Sequence, residues 1–164
     1  MTLPEQERER FCQVLHHSRT SLYRLAFSIT QNSSDAQEAV AEAVCRAYER
    51  YPQLREKEKL PRWLLKITAN EARRLCQRRG RTVSWDDLPT EPAIPGRETG
   101  DDTLWQAVQT LPRDQREAVV LFYYEDLPTE EIARIVGTSP GAVRVRLSRA
   151  REKLRSILKE GDYG

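Results

Sequence analysis

Residues 127–159 read LPTEEIARIVGTSPGAVRVRLSRAREKLRSILK, and this stretch predicts two helices joined by a tight turn. The first helix is expected to run from about Thr129 to Val136 and to end at Gly137, a residue that tolerates the positive φ of a helix C-terminus. Ser139 can cap the second helix, and Pro140 suits its first position because that N–H needs no partner. Apolar residues then recur three or four positions apart, which predicts one buried face: Val143, Leu147, Ala150, Leu154 and Ile157 or Leu158.

The rest of this second helix is strongly basic. It carries Arg144, Arg146, Arg149, Arg151, Lys153, Arg155 and Lys159 against only Glu152 and Glu160. A short helix, a glycine turn and a cationic helix are the parts of a helix-turn-helix, whose second helix fits the DNA major groove. Guanidinium groups there can bind phosphates or take guanine O6 and N7 together. The plainer alternative is a solvated basic face on an ordinary helical hairpin, but the turn and the lopsided charge favour DNA binding.

Composition limits the class of protein. The 164 residues allow one domain or two small ones, and 38% hydrophobic with 32% charged residues fits small helical modules better than one large core. Three cysteines without a C-x-x-C pair predict reduced, buried thiols of a cytoplasmic protein: Cys12, Cys45 and Cys76. No signal peptide, membrane-spanning run, metal-ligand spacing or cofactor motif is visible in the sequence, so we expect no metal, no cofactor and no stable membrane insertion.

The N-terminal half also predicts helices. Apolar residues at helical spacing run from Pro4 to Thr30, a second helix with a Ser34–Gln37 capping box continues to about Arg50, and a third begins at Leu60-Pro61. We therefore predict an all-α fold with two small helical domains, residues 1–81 and 103–164. Residues 82–102 between them form a flexible linker that is rich in proline and in acidic side chains.

The third helix ends in a second basic surface. Its C-terminal part holds Arg73, Arg74, Arg78 and Arg79, and Glu71 is the lone acid there. One basic tail could be a nonspecific phosphate clamp. Two basic patches on separate modules predict two contacts along one nucleic acid.

In the order of these elements, nearly the whole chain resembles bacterial RNA polymerase sigma factors of the extracytoplasmic-function (ECF) type. Three segments carry the resemblance. The first comprises residues 22–26, 35–40 and 46–48, and the second is Leu60 to Asn70. The third comprises Leu111-Pro112, residues 130–133, Gly137 and residues 141–154. The resemblance implies two DNA-binding domains, the C-terminal one a helix-turn-helix, on a protein that is not an enzyme.

For the N-terminal domain the resemblance implies contact with the melted −10 element of a promoter. Asn70 matches the family position near a pocket for a flipped base, where an amide can both donate and accept hydrogen bonds. Trp63 belongs to the core or lies beside the melted strand. The implied phosphate contacts are Arg62, Lys66, Arg73, Arg74 and Arg78. The spacing alone favours a plainer interpretation of Asn70, as an ordinary amide on a helix surface.

For the C-terminal domain the resemblance implies readout of the −35 duplex through Arg144, Ser148 and Arg149, with Arg146, Arg151 and Lys153 on phosphate or in solvent. It places the clamp of the polymerase largest subunit against the helix that carries Asp35, Glu38, Glu42 and Arg46. Further implied partners are the flap region of core RNA polymerase and an anti-sigma factor.

Two other functions fit parts of the pattern. A stand-alone helix-turn-helix regulator would bind duplex DNA as a dimer without polymerase. A helical interaction protein would use its basic faces for acidic partners. The sequence shows no nucleophile–base pair, phosphate-binding glycine loop or metal cluster, so an enzyme is not expected.

Overall fold

The computed structural model describes residues 3–79 and 102–161, without the side chains of the last two residues and of Asp102. The chain divides into two compact units between Thr90 and Glu91, within the predicted linker. Residues 82–101 of this linker lie outside the described residues, and Asp102, predicted as its last residue, is the first residue of a helix. All regular structure in the described ranges is helical, which confirms the all-α prediction. None of the described helices is both long and apolar enough to cross a membrane.

The N-terminal unit consists of three long helices that pack against one another: α1 (Glu5–Thr30), α2 (Ser33–Arg50) and α3 (Leu60–Arg79). Two short 3₁₀ turns, Tyr51–Gln53 and Lys57–Lys59, connect α2 to α3. Alanines line the buried face of α2, and they include Ala36, Ala39, Ala43 and Ala47. Because alanine has so short a side chain, this face allows the other two helices to approach α2 closely.

One predicted cap is wrong. The start of α2 is capped by Asn32, whose Oδ1 accepts a hydrogen bond of 2.9 Å from the N–H of Asp35, and not by a Ser34–Gln37 capping box. Asn32 takes this place because the chain leaves α1 through Gln31 in the left-handed conformation, at φ 55°. This early turn sets Asn32 in the extended conformation, one residue before the helix begins.

The C-terminal unit contains four α-helices: α4 (Asp102–Gln109), α5 (Arg113–Val119), α6 (Thr129–Val136) and α7 (Pro140–Gly161). The helical segment that begins at Arg113 is only partly α-helical, since Val120–Tyr124 forms a π-helical turn directly after α5. There the N–H of Glu125 donates to the carbonyl of Val120 at 3.2 Å, five residues back. The wider turn keeps Leu121 fully buried while Tyr123 stays exposed.

The turn between α6 and α7 matches the prediction in detail. Gly137 ends α6 in the left-handed conformation with φ 76°, and its N–H donates to the carbonyl of Ala133 at 2.9 Å. Ser139 Oγ accepts from the N–H of Ala142 at 3.1 Å, and α7 starts at Pro140. These local interactions fix where α7 begins and therefore which of its residues face outward.

The predicted burial of the cysteines is wrong. Cys12 and Cys45 are exposed, and Cys76 is half-buried, with its thiol 3.7 Å from the carbonyl oxygen of Ile29. The helical spacing was read correctly, but Cys12 and Cys45 fall just outside the buried stripes of α1 and α2.

Candidate nucleic-acid interface

The outward face of α7 holds the side chains predicted to read duplex DNA. Val143, Leu147 and Ala150 are buried, and they fix the orientation of the helix in its unit. Arg144, Ser148 and Arg149 are exposed on the side of α7 away from that apolar stripe. Their spacing of one, four and five residues brings them onto neighbouring turns of a helix, where they can reach adjacent base pairs.

The other predicted basic residues of α7 are not equivalent to these three. Arg146 is half-buried, and its Nε lies 3.7 Å from Asp114 Oδ2. Arg151 donates a 2.6 Å hydrogen bond to Tyr123 Oη, with its guanidinium 5.7 Å from the centres of the Phe122 and Tyr123 rings. Lys153 is exposed. Arg146 and Arg151 thus already have partners inside their own unit, which reduces their freedom to contact phosphate.

A second exposed stripe runs along α3. Arg62, Lys66 and Asn70 are exposed and lie four residues apart, and half-buried Arg73 continues the line. Trp63 lies beside this stripe and is half-buried, between the two placements that the sequence left open. The structure therefore groups the amide predicted to bind a flipped base with three of the five cations predicted to hold phosphates.

The remaining two cations lie on another side of α3. Arg74 and Arg78 line a groove of about 140 Å³ between α2 and α3, together with Glu38, Glu42 and Arg46. Two of the predicted −10 residues and three of the four predicted polymerase residues thus line one groove, an arrangement that the sequence did not predict.

Glu71 lies at the bottom of this groove. Its side chain is 4% exposed, and its Oε1 lies 2.8 Å from Arg46 Nε and 3.4 Å from Arg74 Nη1. A buried carboxylate costs free energy unless charged partners compensate it, so these two arginines are part of the fold of the unit. In the sequence, Glu71 stands out only as the lone acid in a basic segment. Its helical spacing from Leu64, Ile67 and Leu75 was the available signal that it would be buried.

The predicted polymerase-binding residues of α2 differ in how far they are exposed. Glu38 and Glu42 have side chains that are 55% and 53% exposed, so a partner protein can reach them. Asp35 is buried, and its Oδ1 lies 2.7 Å from Arg79 Nη1. Arg46 is engaged by Glu71, as described above. The exposed part of the predicted polymerase surface is therefore smaller than the sequence suggested.

Comparison with known proteins gives these surfaces their context. Residues 14–82 match the family model of sigma-70 region 2, and residues 101–154 match sigma-70 region 4. The RNA polymerase sigma factor SigV of Bacillus subtilis is 32% identical over 146 residues, which are 88% of each chain. The ECF RNA polymerase sigma factor EcfG of Rhodopseudomonas palustris is 32% identical over 84% of this chain and 79% of its own.

The chain belongs to the ECF sigma factors. Among solved structures, the sigma factor RpoE of Bartonella quintana, crystallised with the anti-sigma factor NepR, is similar with a TM-score of 0.74 and 27% identity over 95% of this chain and 98% of that one. The region 2 match covers most of α1 and all of α2 and α3, and the region 4 match covers α4 to most of α7.

Membership in this family confirms three predictions. The protein is a sigma factor that acts in promoter recognition by RNA polymerase, and it is not an enzyme. A stand-alone regulator would not be expected to carry region 2 and region 4 together, so that alternative loses its support.

Proposed function

We propose that this sigma factor binds core RNA polymerase and reads a promoter at two places, with α7 on the −35 duplex and α3 on the melted −10 element. The observation that carries the proposal is the presence of an exposed, cationic helix face on each of two separate units, with an amide at the centre of one of them. A single basic face would serve nonspecific binding equally well. The arginine-rich face of α7 suits duplex DNA, and the face of α3 with its central amide suits melted DNA.

On α7, Arg144 and Arg149 are the proposed base-reading groups, and Ser148 between them adds a small donor and acceptor. Arginine suits this role because its planar group binds O6 and N7 of one guanine together. Lys153 is free to contact phosphate, whereas Arg146 and Arg151 would first have to leave Asp114 and Tyr123.

On α3, Asn70 is the proposed contact for a base flipped out of the stack. Its amide can pair with the Watson–Crick edge of such a base, which is hidden in the duplex. Arg62, Lys66 and Arg73 lie along the same face and would hold the phosphates on either side. Trp63, half-buried beside them, offers a ring edge to the melted strand.

For the polymerase we propose that Glu38 and Glu42 make the main ionic contact with the largest-subunit clamp, because they are exposed and Asp35 is not. Arg46 would take part at the edge of this surface. The resemblance also suggests contact with the flap region, an anti-sigma partner that covers the same faces until induction, and a cytoplasmic location.

In vitro transcription with purified core RNA polymerase tests the proposal. Starting from a promoter library randomised at −35 and −10, the full chain should direct initiation to a narrow set of promoters. Asn70→Ala should weaken −10 selection and leave −35 selection intact, and Arg149→Ala should do the reverse. Gln77→Ala, an exposed amide farther along α3, is the matched control for Asn70. Tight duplex binding without polymerase, or no effect on start sites, would refute the proposal.

A further inference from the structure

An apolar side chain stands among the polar groups on the outward face of α7. Val145 is 48% exposed, which makes it the most exposed large hydrophobic residue in the described part of the chain. It follows Arg144 directly and precedes Ser148 by three residues, so it lies within the proposed base-reading face. Sequence analysis did not include Val145 among the DNA contacts.

The turn before Val145 leaves this side chain open. Gly141 lies four residues earlier, and the side chain of a helical residue leans over the turn on its N-terminal side. A Cβ placed on Gly141 would meet nothing closer than Ser139 Oγ at 4.0 Å, so packing within the unit does not require a glycine there. Because Gly141 has no side chain, a DNA base can approach Val145 from that side.

Neither Gly141 nor Val145 increases the stability of the α7 helix by itself. Glycine is one of the weakest helix formers, valine is weaker than alanine because its branched Cβ restricts χ1, and an exposed valine gains little from the hydrophobic effect. Scattered apolar residues on a surface are common. This one differs because it projects between two arginines, on the helix that would enter the major groove.

We propose that Val145 contacts the C5-methyl group of a thymine in the −35 duplex, and thereby selects a T·A base pair at one position. Thymine is the only base that presents a methyl group in the major groove, and apolar side chains are its natural partners. Arg144 and Arg149 read hydrogen-bonding edges, whereas Val145 reads a hydrophobic surface. The inference rests on the proposed docking of α7 in the −35 major groove.

The test uses holoenzyme assembled from purified core RNA polymerase and the full chain, on promoters with a randomised −35 element. Wild-type holoenzyme should prefer T·A at one position. Val145→Ala should lower that preference about fourfold, the effect of losing one buried methyl contact, and should leave the other positions unchanged. Leu104→Ala, which truncates an exposed apolar residue on α4, is the matched control and should change no position.

A second measurement removes the methyl group from the DNA. Replacing the selected thymine by deoxyuridine should lower initiation by wild-type holoenzyme about fourfold and should not affect the Val145→Ala holoenzyme. Circular dichroism should show that this variant is as stable as wild type, since alanine is the better helix former.

The outcomes distinguish a failure of the Val145–thymine contact from a failure of the proposed −35 docking of α7. If Arg149→Ala weakens −35 selection but Val145→Ala alters no T·A position, the thymine contact is wrong and the proposed function stands. Equal sensitivity of both holoenzymes to deoxyuridine would also overturn the contact. If wild-type holoenzyme shows no −35 preference at all, the proposed docking of α7 fails, and the contact fails with it.

Discussion

Removal of Arg46 should destabilise the N-terminal unit far more than its exposure suggests. The Arg46 side chain is 33% exposed, but its Nε lies 2.8 Å from a Glu71 carboxylate that is only 4% exposed. Among the described residues, Arg74 at 3.4 Å would then be the remaining charged partner of this carboxylate in Arg46→Ala. Breaking a buried ion pair from one side costs about 3–5 kcal/mol, and the remaining arginine lowers our expectation to about 2–4 kcal/mol.

Hydrogen exchange of the full chain measures this effect where it occurs. Slowly exchanging amides of α2 and α3 report the free energy of opening the N-terminal unit, independently of the C-terminal unit. Glu42→Ala is the matched control, because the Glu42–Arg46 pair spans 3.6 Å on the surface with Glu42 53% exposed. Such a pair contributes at most about 0.5 kcal/mol.

The double variant Arg46→Ala with Glu71→Gln separates charge from packing. If the cost of Arg46→Ala comes from an uncompensated buried charge, neutralising Glu71 should restore about 1 kcal/mol or more. An Arg46→Ala variant that loses no more stability than the Glu42→Ala control would refute this account of the groove. The result also bears on polymerase binding, because weaker binding by Arg46→Ala would partly reflect a loosened α2–α3 packing.

Three further predictions follow from particular side chains. Arg149→Ala should weaken −35 discrimination by about 1–3 kcal/mol in transcription from a −35 library, and an unchanged preference would remove Arg149 from the base-reading face. Gly137→Ala should cost about 1 kcal/mol in thermal unfolding because of its φ of 76°, whereas Gly141→Ala, which has open space, should cost nothing. Burial, with a smaller contribution from Glu7, raises the pKa of Tyr51 above its usual 10.0, so the neutral phenol favours the folded state. The neutral Tyr51 phenol contributes fully to the free energy of unfolding below about pH 10, and this contribution is lost as the pH rises further. Urea unfolding should therefore show that the free energy of unfolding falls less between pH 8 and pH 11 in Tyr51→Phe than in wild type.

Local features of the fold were predictable because they depend on residues close together in the chain. Gly137, Ser139 and Pro140 define the turn before α7 through bonds that span four residues or fewer. The same helical periodicity placed Val143 and Leu147 inside and Arg144 and Arg149 outside. The cap of α2 was assigned to Ser34 instead of Asn32, because the sequence did not show that Gln31 would turn into the left-handed conformation.

Which charged residues remain available to partners was decided by packing between helices. Arg46 and Glu71 are 25 positions apart, and they meet because α2 and α3 lie side by side in one register. Arg151 reaches Tyr123 because the π-helical turn directs that ring toward α7. Periodicity can assign a residue to a face of its own helix, but it cannot say which neighbour occupies that face.

The sequence by itself determined the all-helical fold, the turn that orients α7 and the basic character of α3 and α7. Only the tertiary structure decided that Asp35, Arg46 and Arg74 form ion pairs within the N-terminal unit, and that Cys12 and Cys45 are exposed. The physical reason is the distance along the chain over which each interaction acts. Helix formation and capping depend on bonds between near neighbours, whereas the burial of a charge depends on which distant helix lies against it.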